Sequence, residues 1–300
     1  MSKKNNQITV VIAAVLIGIA SIIFLAIYTE PTEKKDYHTV TSPDGETISY
    51  HLAGHGNVTL LFIHGWSCDS RYWKFQVPYF AQNYQIAALD LAGHGRSSQN
   101  RDVYSMESFG LDVKAVAEDL DAQKVILIGH SMGGAVMAEA AKLMPDRIIG
   151  LIGIDTLHNV EEDISPHVVA HIISGFRRDF ENQVKAFVEP MLPVNIDSEL
   201  KEWIISNLST ASPDVAISAF EEYTAKLQNM GLANIFKDIK IPVHCINGDL
   251  VPTNIEANRQ YMVSFDATIM NNVGHFPMLE KPEEFNSLLE ETIEEIIRAN

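Results

Sequence analysis

The sequence predicts an α/β protein: a mostly parallel sheet with helices on both faces, a helical insertion, and a transmembrane helix in front. Three observations predict it. Apolar runs of strand length recur along the chain, helical patterns separate them, and residues 159–234 contain no convincing strand. The chain has 300 residues, of which 46% are hydrophobic, so it can bury a sizeable core.

The predicted strands begin with a hairpin. Thr39–Thr41 and Thr47–Tyr50 flank Asp44-Gly45, a dipeptide typical of hairpin turns. Five continuous apolar runs follow, and Ala267–Met270 is a shorter last strand. These runs are Val58–Ile63, Gln85–Leu89, Lys124–Ile128, Ile148–Ile154 and Ile241–Ile246. Strands that are apolar on both faces are typical of a parallel sheet covered by helices on both sides.

Helical periodicity lies between these runs. Ser105 is a predicted N-cap for a helix that ends near Leu120, Ala135–Met144 is Ala-rich, and Phe285–Ile297 carries one apolar stripe. The insertion contains four short amphipathic segments separated by turn signals. These segments are Val168–Ile173, Phe176–Phe187, Leu200–Leu208 and Val215–Leu227.

The N-terminal region precedes the predicted fold. Ile8–Tyr28 is an uncharged run of 21 residues, which is long enough to span a bilayer as a helix. We expect a short head over residues 1–7, an uncleaved signal-anchor over 8–28 and a polar stalk over 29–36; a cleaved signal peptide is the alternative. The short head favours an extracytoplasmic domain and a single-pass membrane localisation.

Composition and motifs argue against several classes of partner, metal site and cofactor. The net charge of −17 argues against nucleic acid as a partner, because phosphate binding needs clustered Lys and Arg. Cys68 and Cys245 are too few for a disulfide framework and do not have zinc-site spacing. Neither a zinc-protease His-Glu-x-x-His motif nor a dinucleotide-binding Gly-x-Gly-x-x-Gly motif occurs, so we expect no cofactor.

The strongest motif surrounds Ser131. Gly129-His-Ser-Met-Gly-Gly134 follows a predicted strand and precedes a predicted helix, the context in which Gly-x-Ser-x-Gly carries a nucleophile. The small residues relieve crowding in a turn so tight that it projects the serine hydroxyl above the sheet. The sequence therefore predicts Ser131 as a nucleophile.

A serine nucleophile needs a base, and the base needs an acid. His275 lies in the loop after the last predicted strand and is the predicted base. Asp249 follows the strand Ile241–Ile246 and is the predicted acid; Asp155, which follows the preceding strand, remains the alternative. The backbone N–H groups of Met132 and Trp66 are the predicted oxyanion hole, with a plain pocket wall as the other interpretation of Trp66.

Four motifs in order carry a family resemblance: Phe62-Ile-His-Gly-Trp66, Asp90-Leu-Ala-Gly-His-Gly-Arg-Ser-Ser98, Gly129–Gly134 and Gly274-His-Phe276. From residue 37 to 300 the chain resembles the α/β-hydrolase superfamily. The resemblance implies an eight-stranded, mostly parallel sheet, with the core over residues 37–158 and 235–300 and a cap over 159–234. It also implies the triad Ser131–Asp249–His275. Relatives usually place the acid about two residues further past the Gly, which keeps Asp155 open.

These features predict a membrane-anchored serine hydrolase, a carboxylesterase or lipase-like enzyme that cleaves esters of small or medium acyl groups without a metal or organic cofactor. The same triad could act on a lactone or a C–C bond, or form a peracid, since the motifs also resemble those of cofactor-free haloperoxidases. A third hypothesis, from another class, is an inert hydrolase fold that only binds its ligand. The sequence does not define the oligomeric state.

Overall fold

Eight strands form one sheet in the computed structural model, which describes residues 36–300. The strands are β1 (Asp36–Thr41), β2 (Thr47–Gly54), β3 (Thr59–Ile63), β4 (Gln85–Leu89), β5 (Val125–His130), β6 (Ile148–Ile154), β7 (Val243–Gly248) and β8 (Phe265–Met270). Their order is β1-β2-β4-β3-β5-β6-β7-β8. β2 is antiparallel to β4, whereas every pairing from β4 to β8 is parallel. The predicted eight-stranded, mostly parallel sheet is confirmed.

The centre of the sheet is the core of the molecule. All five residues of β3 and all six of β5 are buried. Strands of this kind must be covered on both faces, which explains why their sequences are continuous apolar runs rather than alternating ones. In a parallel sheet the strands all end at the same edge, so the loops after β3, β5, β6, β7 and β8 meet there.

The helices of the described chain cover the faces of this sheet and fill the insertion. They are α1 (Gln76–Phe80), α2 (Met106–Asp119), α3 (Gly133–Leu143), α4 (Pro166–Arg178), α5 (Phe180–Val188), α6 (Ser198–Ser209), α7 (Pro213–Leu227), α8 (Gly231–Phe236), α9 (Ile255–Arg259), α10 (Pro277–Glu280) and α11 (Pro282–Ala299). Short 3-10 helices occupy Ser70–Trp73 and Glu189–Met191. Between β6 and β7 the described chain contains helices and loops but no strand.

The insertion begins and ends at the same edge of the sheet. Helices α4 to α8 leave after β6 and return before β7, and these two strands are neighbours. An aromatic cluster inside the insertion joins α4, α5 and α7: the rings of Phe176, Phe187 and Phe220 pack edge to face, with centroids 5.5–5.7 Å apart. Apolar contacts between its own helices therefore stabilise the insertion.

The prediction of a transmembrane helix needs correction. Within residues 36–300 no helix has both the length and the apolar character needed to cross a bilayer. The predicted head, anchor and stalk (1–7, 8–28 and 29–36) lie outside the described residues, apart from Asp36, which begins β1. For residues 36–300 the fold class is therefore corrected to an α/β sheet with a helical insertion and no transmembrane helix, and the predicted single-pass membrane localisation with an extracytoplasmic domain is not kept.

Candidate active site

Ser131 lies in a sharp turn between β5 and α3. Its φ is 53°, in the left-handed region that non-glycine residues rarely adopt. A Cβ added to Gly129 would lie 2.3 Å from the carbonyl oxygen of Gly133, so no other residue fits there without moving the backbone. The Ser131 N–H donates to the Ile154 carbonyl at 3.0 Å, which ties the strained turn to the end of β6. The turn is thus fixed with its serine at the carboxyl edge of the sheet.

His275 comes to Ser131 from the loop between β8 and α10. Its Nε2 lies 2.9 Å from the Ser131 Oγ. Glu280 holds this loop from within: its carboxylate accepts hydrogen bonds from the N–H groups of Gly274, at 2.7 Å, and Phe276, at 2.9 Å. The N–H of His275 itself donates to the Met191 carbonyl, in the insertion, at 3.0 Å. The imidazole is therefore positioned by both the core and the insertion.

Asp155 is the carboxylate that contacts His275. It follows β6 directly with a φ of 44°, is 6% exposed, and places Oδ2 2.5 Å from the His275 Nδ1. Its Oδ1 accepts the Gly248 N–H at 2.8 Å. Burial alone raises the pKa of Asp155, but hydrogen bonds and attraction from His158 and His275 outweigh it and hold that pKa well below its ordinary value. Asp155 is thus an ionised, buried partner for the imidazole.

Asp249 lies elsewhere. It is exposed, and its carboxylate accepts hydrogen bonds from the N–H groups of Asn272, at 2.9 Å, and Val273, at 3.2 Å. The structure therefore does not bring Asp249 to His275 as the sequence predicted. The physical reason is that the chain after β7 carries Asp249 to the outside of the β8–α10 loop, whereas the buried side of His275 is occupied by Asp155.

The two predicted oxyanion donors flank the Ser131 turn. Met132 is the N-cap of α3, and Trp66 lies in the turn after β3. A Cβ on Gly65, next to Trp66, would lie 3.2 Å from the Ser131 Cβ, so the two loops run side by side. Within residues 36–300 neither the Trp66 nor the Met132 N–H donates to a protein acceptor. Both remain available to an oxyanion.

The side chain of Trp66 has a second environment. Its indole Nε1 donates to the Ala216 carbonyl of α7 at 2.7 Å, and its ring stacks on Phe176 with centroids 5.1 Å apart. Phe180, Phe187 and Phe220 pack around the same ring. Trp66 therefore joins the core to the aromatic cluster, and its side chain forms a wall there.

The other buried histidines near this edge are engaged elsewhere. His130 donates from Nε2 to the His275 carbonyl at 2.7 Å, and burial, together with the charge of His275, lowers the pKa of His130 to about 3. His64 accepts the Leu91 N–H at 3.0 Å. No group of three or more His, Cys, Asp or Glu side chains in residues 36–300 is arranged to hold a metal ion.

The site residue that sequence reasoning missed is Glu280. Its role depends on the main-chain direction of a loop, and a glutamate five residues after a histidine carries no chemistry of its own. Burial raises the pKa of Glu280, and the hydrogen bonds from Gly274 and Phe276 oppose that effect. The signal that could have found it is its place on a four-residue helix immediately after the predicted base.

The chain is similar to known proteins in sequence over most of its length. The model of the alpha/beta hydrolase family matches residues 60–288. A pimeloyl-[acyl-carrier protein] methyl ester esterase from Wigglesworthia glossinidia brevipalpis is 26% identical over 246 residues, covering 78% of this chain and 92% of the relative. A non-heme chloroperoxidase from Streptomyces lividans is 26% identical over 265 residues, covering 83% of this chain and 96% of that protein.

The fold has matches among solved structures as well. A thermophilic esterase from Thermogutta terrifontis superposes with a TM-score of 0.75 at 22% identity. The match covers 87% of this chain and 99% of the esterase. At that identity the likeness supports the fold alone.

Proposed function

Because the chain belongs to the alpha/beta hydrolase family and is a hydrolase, we propose that it cleaves carboxylic esters through an acyl-enzyme on Ser131. The observation that carries the proposal is the continuous contact from the Ser131 Oγ to the His275 Nε2, at 2.9 Å, and from the His275 Nδ1 to Asp155, at 2.5 Å. We assign Asp155, not Asp249, as the acid of this triad.

The first half of the reaction acylates the serine. The Nε2 of His275 takes the Ser131 proton as Oγ attacks the ester carbonyl carbon. The carbonyl oxygen becomes an oxyanion, stabilised by the N–H groups of Trp66 and Met132. His275 then gives its proton to the alcohol oxygen, the C–O bond breaks, and the alcohol leaves with the acyl group on Ser131.

In the second half of the reaction, water hydrolyses the acyl-enzyme. His275 takes a proton from a water molecule, whose oxygen attacks the acyl carbon. Collapse of the second oxyanion returns the proton to Ser131 and releases the carboxylic acid. Throughout, ionised Asp155 keeps the Nδ1 proton on His275 and stabilises the imidazolium that forms twice per turnover.

A second candidate uses hydrogen peroxide in place of water. The similarity to a non-heme chloroperoxidase supports it. Attack of the peroxide oxygen on the acyl group would release a peracid and regenerate Ser131 without any change in the triad. Peracid formed per ester consumed, measured across hydrogen peroxide concentrations, separates the two: an esterase gives mostly carboxylic acid.

Labelling with a fluorophosphonate probe tests the proposal most directly, since the probe forms a covalent bond to an activated serine. We expect the wild-type chain to label and to hydrolyse p-nitrophenyl butyrate, Ser131→Ala to do neither, and His275→Gln to label far more slowly. Failure of wild type to label, or equal labelling of Ser131→Ala, would favour the inert binding module.

A further inference from the structure

A second histidine lies against the carboxylate of Asp155. The Nε2 of His158 is 3.7 Å from the Asp155 Oδ2, the same oxygen that contacts the His275 Nδ1 at 2.5 Å. The side chain of His158 is 17% exposed and that of Asp155 is 7% exposed. Two imidazoles therefore share one oxygen of a buried carboxylate, and the mechanism derived above uses only one of them.

The backbone that brings His158 to this carboxylate is strained. Asp155 has a φ of 44° and Leu157 a φ of 51°, so two non-glycine residues one position apart are left-handed. The Asn254 N–H, in the segment after β7, donates to the His158 carbonyl at 2.6 Å and holds the turn. Strained residues of this kind cost free energy and persist where the surrounding structure enforces them, which is common at active sites. The position of His158 is therefore maintained at a cost in stability.

The groups around Nδ1 determine which ring nitrogen of neutral His158 carries the proton. The Asn247 Oδ1 accepts the Thr156 N–H at 3.2 Å, so the Asn247 Nδ2 is the atom that lies 3.4 Å from the His158 Nδ1. This Nδ2 also donates to the Thr253 Oγ1 at 2.9 Å, and the Thr253 hydroxyl in turn donates to the His158 Nδ1 at 3.3 Å. Both neighbours of Nδ1 are thus donors, so Nδ1 accepts and the proton lies on Nε2, which faces Asp155.

An N–H group that faces a buried carboxylate stabilises its charged form. Burial raises the pKa of Asp155, and His158 together with His275 lowers it well below its ordinary value. At 3.7 Å the contact of His158 is longer than a hydrogen bond, so it is an electrostatic attraction, weaker than the direct bond of His275. The triad depends on this charge, because a neutral carboxyl group would not stabilise the imidazolium of His275.

We propose that His158 is a positioning residue of the active site: it orients the Asp155 carboxylate toward His275 and stabilises its negative charge. The inference rests on the proposed ester hydrolysis by Ser131. The four side chains then form one line of contacts, from the Ser131 Oγ through His275 and Asp155 to His158. In this arrangement the whole effect of His158 on the reaction passes through Asp155.

Replacing the ring of His158 tests this contact. His158→Leu removes both ring nitrogens and should lower kcat for p-nitrophenyl butyrate about five- to thirtyfold, with KM changed less than about twofold. His158→Gln carries a donor group and an acceptor, like neutral imidazole, and should keep kcat within about threefold of wild type. The matched control is His244→Leu, which should leave kcat unchanged. His244 is also half-buried and its Nε2 lies 3.0 Å from the Thr268 hydroxyl, but it lies near the start of β7, away from the carboxyl edge.

A double-mutant cycle separates positioning from a purely structural role of His158. The readout is the rate at which a fluorophosphonate labels Ser131, because one covalent event per chain can be followed over hours even in slow variants. His158→Leu should slow labelling about five- to thirtyfold in the wild-type background but less than about twofold in Asp155→Asn, where the carboxylate charge is already absent. A histidine that only supported the loop would cost the same factor in both backgrounds, and that result overturns the inference.

Thr253→Val provides the test if thermal melting shows that His158→Leu does not fold. Valine has nearly the shape of threonine but no hydroxyl, so the His158 Nδ1 loses the donor that keeps the ring proton on Nε2. We expect labelling to slow about two- to fivefold in the wild-type background and to stay unchanged when the same substitution is made in Asp155→Asn. In that case equal slowing in both backgrounds, or none in either, overturns the inference.

The outcomes separate this inference from the proposed function. Wild-type kcat in His158→Leu, or a loss confined to KM, overturns the role of His158 while ester hydrolysis stands. An equal loss of kcat in His158→Gln or in His244→Leu also overturns it, because the loss then does not depend on a donor that faces Asp155. A well-folded wild-type chain that neither labels nor hydrolyses the ester contradicts the proposed function, and the role of His158 with it.

Discussion

Two aspartates follow neighbouring strands of the sheet at the same edge, and they have opposite environments. Asp155 follows β6, is buried and contacts the imidazole of His275. Asp249 follows β7, is exposed and binds main-chain N–H groups of the loop that carries His275. Position after a strand is therefore not enough to identify the acid of a triad, because the turn that follows decides where the carboxylate points.

The turn differs because the backbone differs. Asp155 has a φ of 44°, and both its N–H and its Oδ1 are bonded to β7, through Ile246 and Gly248. These bonds turn the side chain inward, toward the sheet edge where Ser131 lies. Asp249 has no such bonds to the interior, and its two oxygens face the outside of the β8–α10 loop. The Asp155 carboxylate contacts the imidazole of His275, whereas the Asp249 carboxylate binds the main chain of the loop that carries His275.

The largest expected effect on kcat comes from replacing the buried carboxylate of Asp155. Asp155→Asn should lower kcat for p-nitrophenyl butyrate by about 10³- to 10⁴-fold, because an amide cannot hold His275 in the required tautomer or stabilise its charged form. Asp249→Asn is the matched control and should cost far less. A larger loss for Asp249→Asn would return the acid role to Asp249.

Glu280 offers a second test of how His275 is positioned, because its carboxylate binds the β8–α10 loop from the buried side. Glu280→Gln replaces an oxygen acceptor by an N–H₂ group facing the N–H of either Gly274 or Phe276, so one hydrogen bond becomes a donor–donor contact. We expect kcat to fall about tenfold. The exposed Glu283→Gln on α11 should leave kcat unchanged, and equal losses in the two variants would remove Glu280 from the positioning of His275.

Removing the exposed carboxylate of Asp249 should have a smaller effect on kcat. Asp249→Ala leaves the N–H groups of Asn272 and Val273 to water, which can reach them because this region is exposed. We expect kcat to fall by less than about tenfold, with a slightly lower melting temperature. A loss as large as that of Asp155→Asn would mean that the loop, rather than the direct contact, controls the imidazole.

Acid titration gives the smallest signal. Because the pKa of Asp155 is held well below its ordinary value of about 3.9, its ionised form stabilises the folded state above that pH, and this stabilisation is lost as the pH falls from there toward the folded pKa. The difference in melting temperature between wild type and Asp155→Asn should therefore be constant from pH 7 to about 5 and should narrow below about 4. A difference independent of pH would contradict the ionised state of Asp155.

The sequence predicted the parts of this molecule that local patterns control. The strands are apolar runs, and the Ser131 turn depends on glycines whose reason is steric and local. The choice between Asp155 and Asp249 was beyond the sequence, because it rests on hydrogen bonds from β6 to β7, which are distant along the chain. The role of Glu280 was missed for a different reason: its bonds to Gly274 and Phe276 are close in sequence, but they depend on the main-chain direction of the loop rather than on a residue pattern.

The hydrogen bond from the His275 N–H to the Met191 carbonyl has a consequence for engineering. Residue 191 belongs to the insertion, so a minimal version of this protein made by deleting the insertion would lose a support of its proposed general base. Chimeras that exchange this segment between relatives should keep the acceptor at position 191, or turnover will fall for every substrate alike.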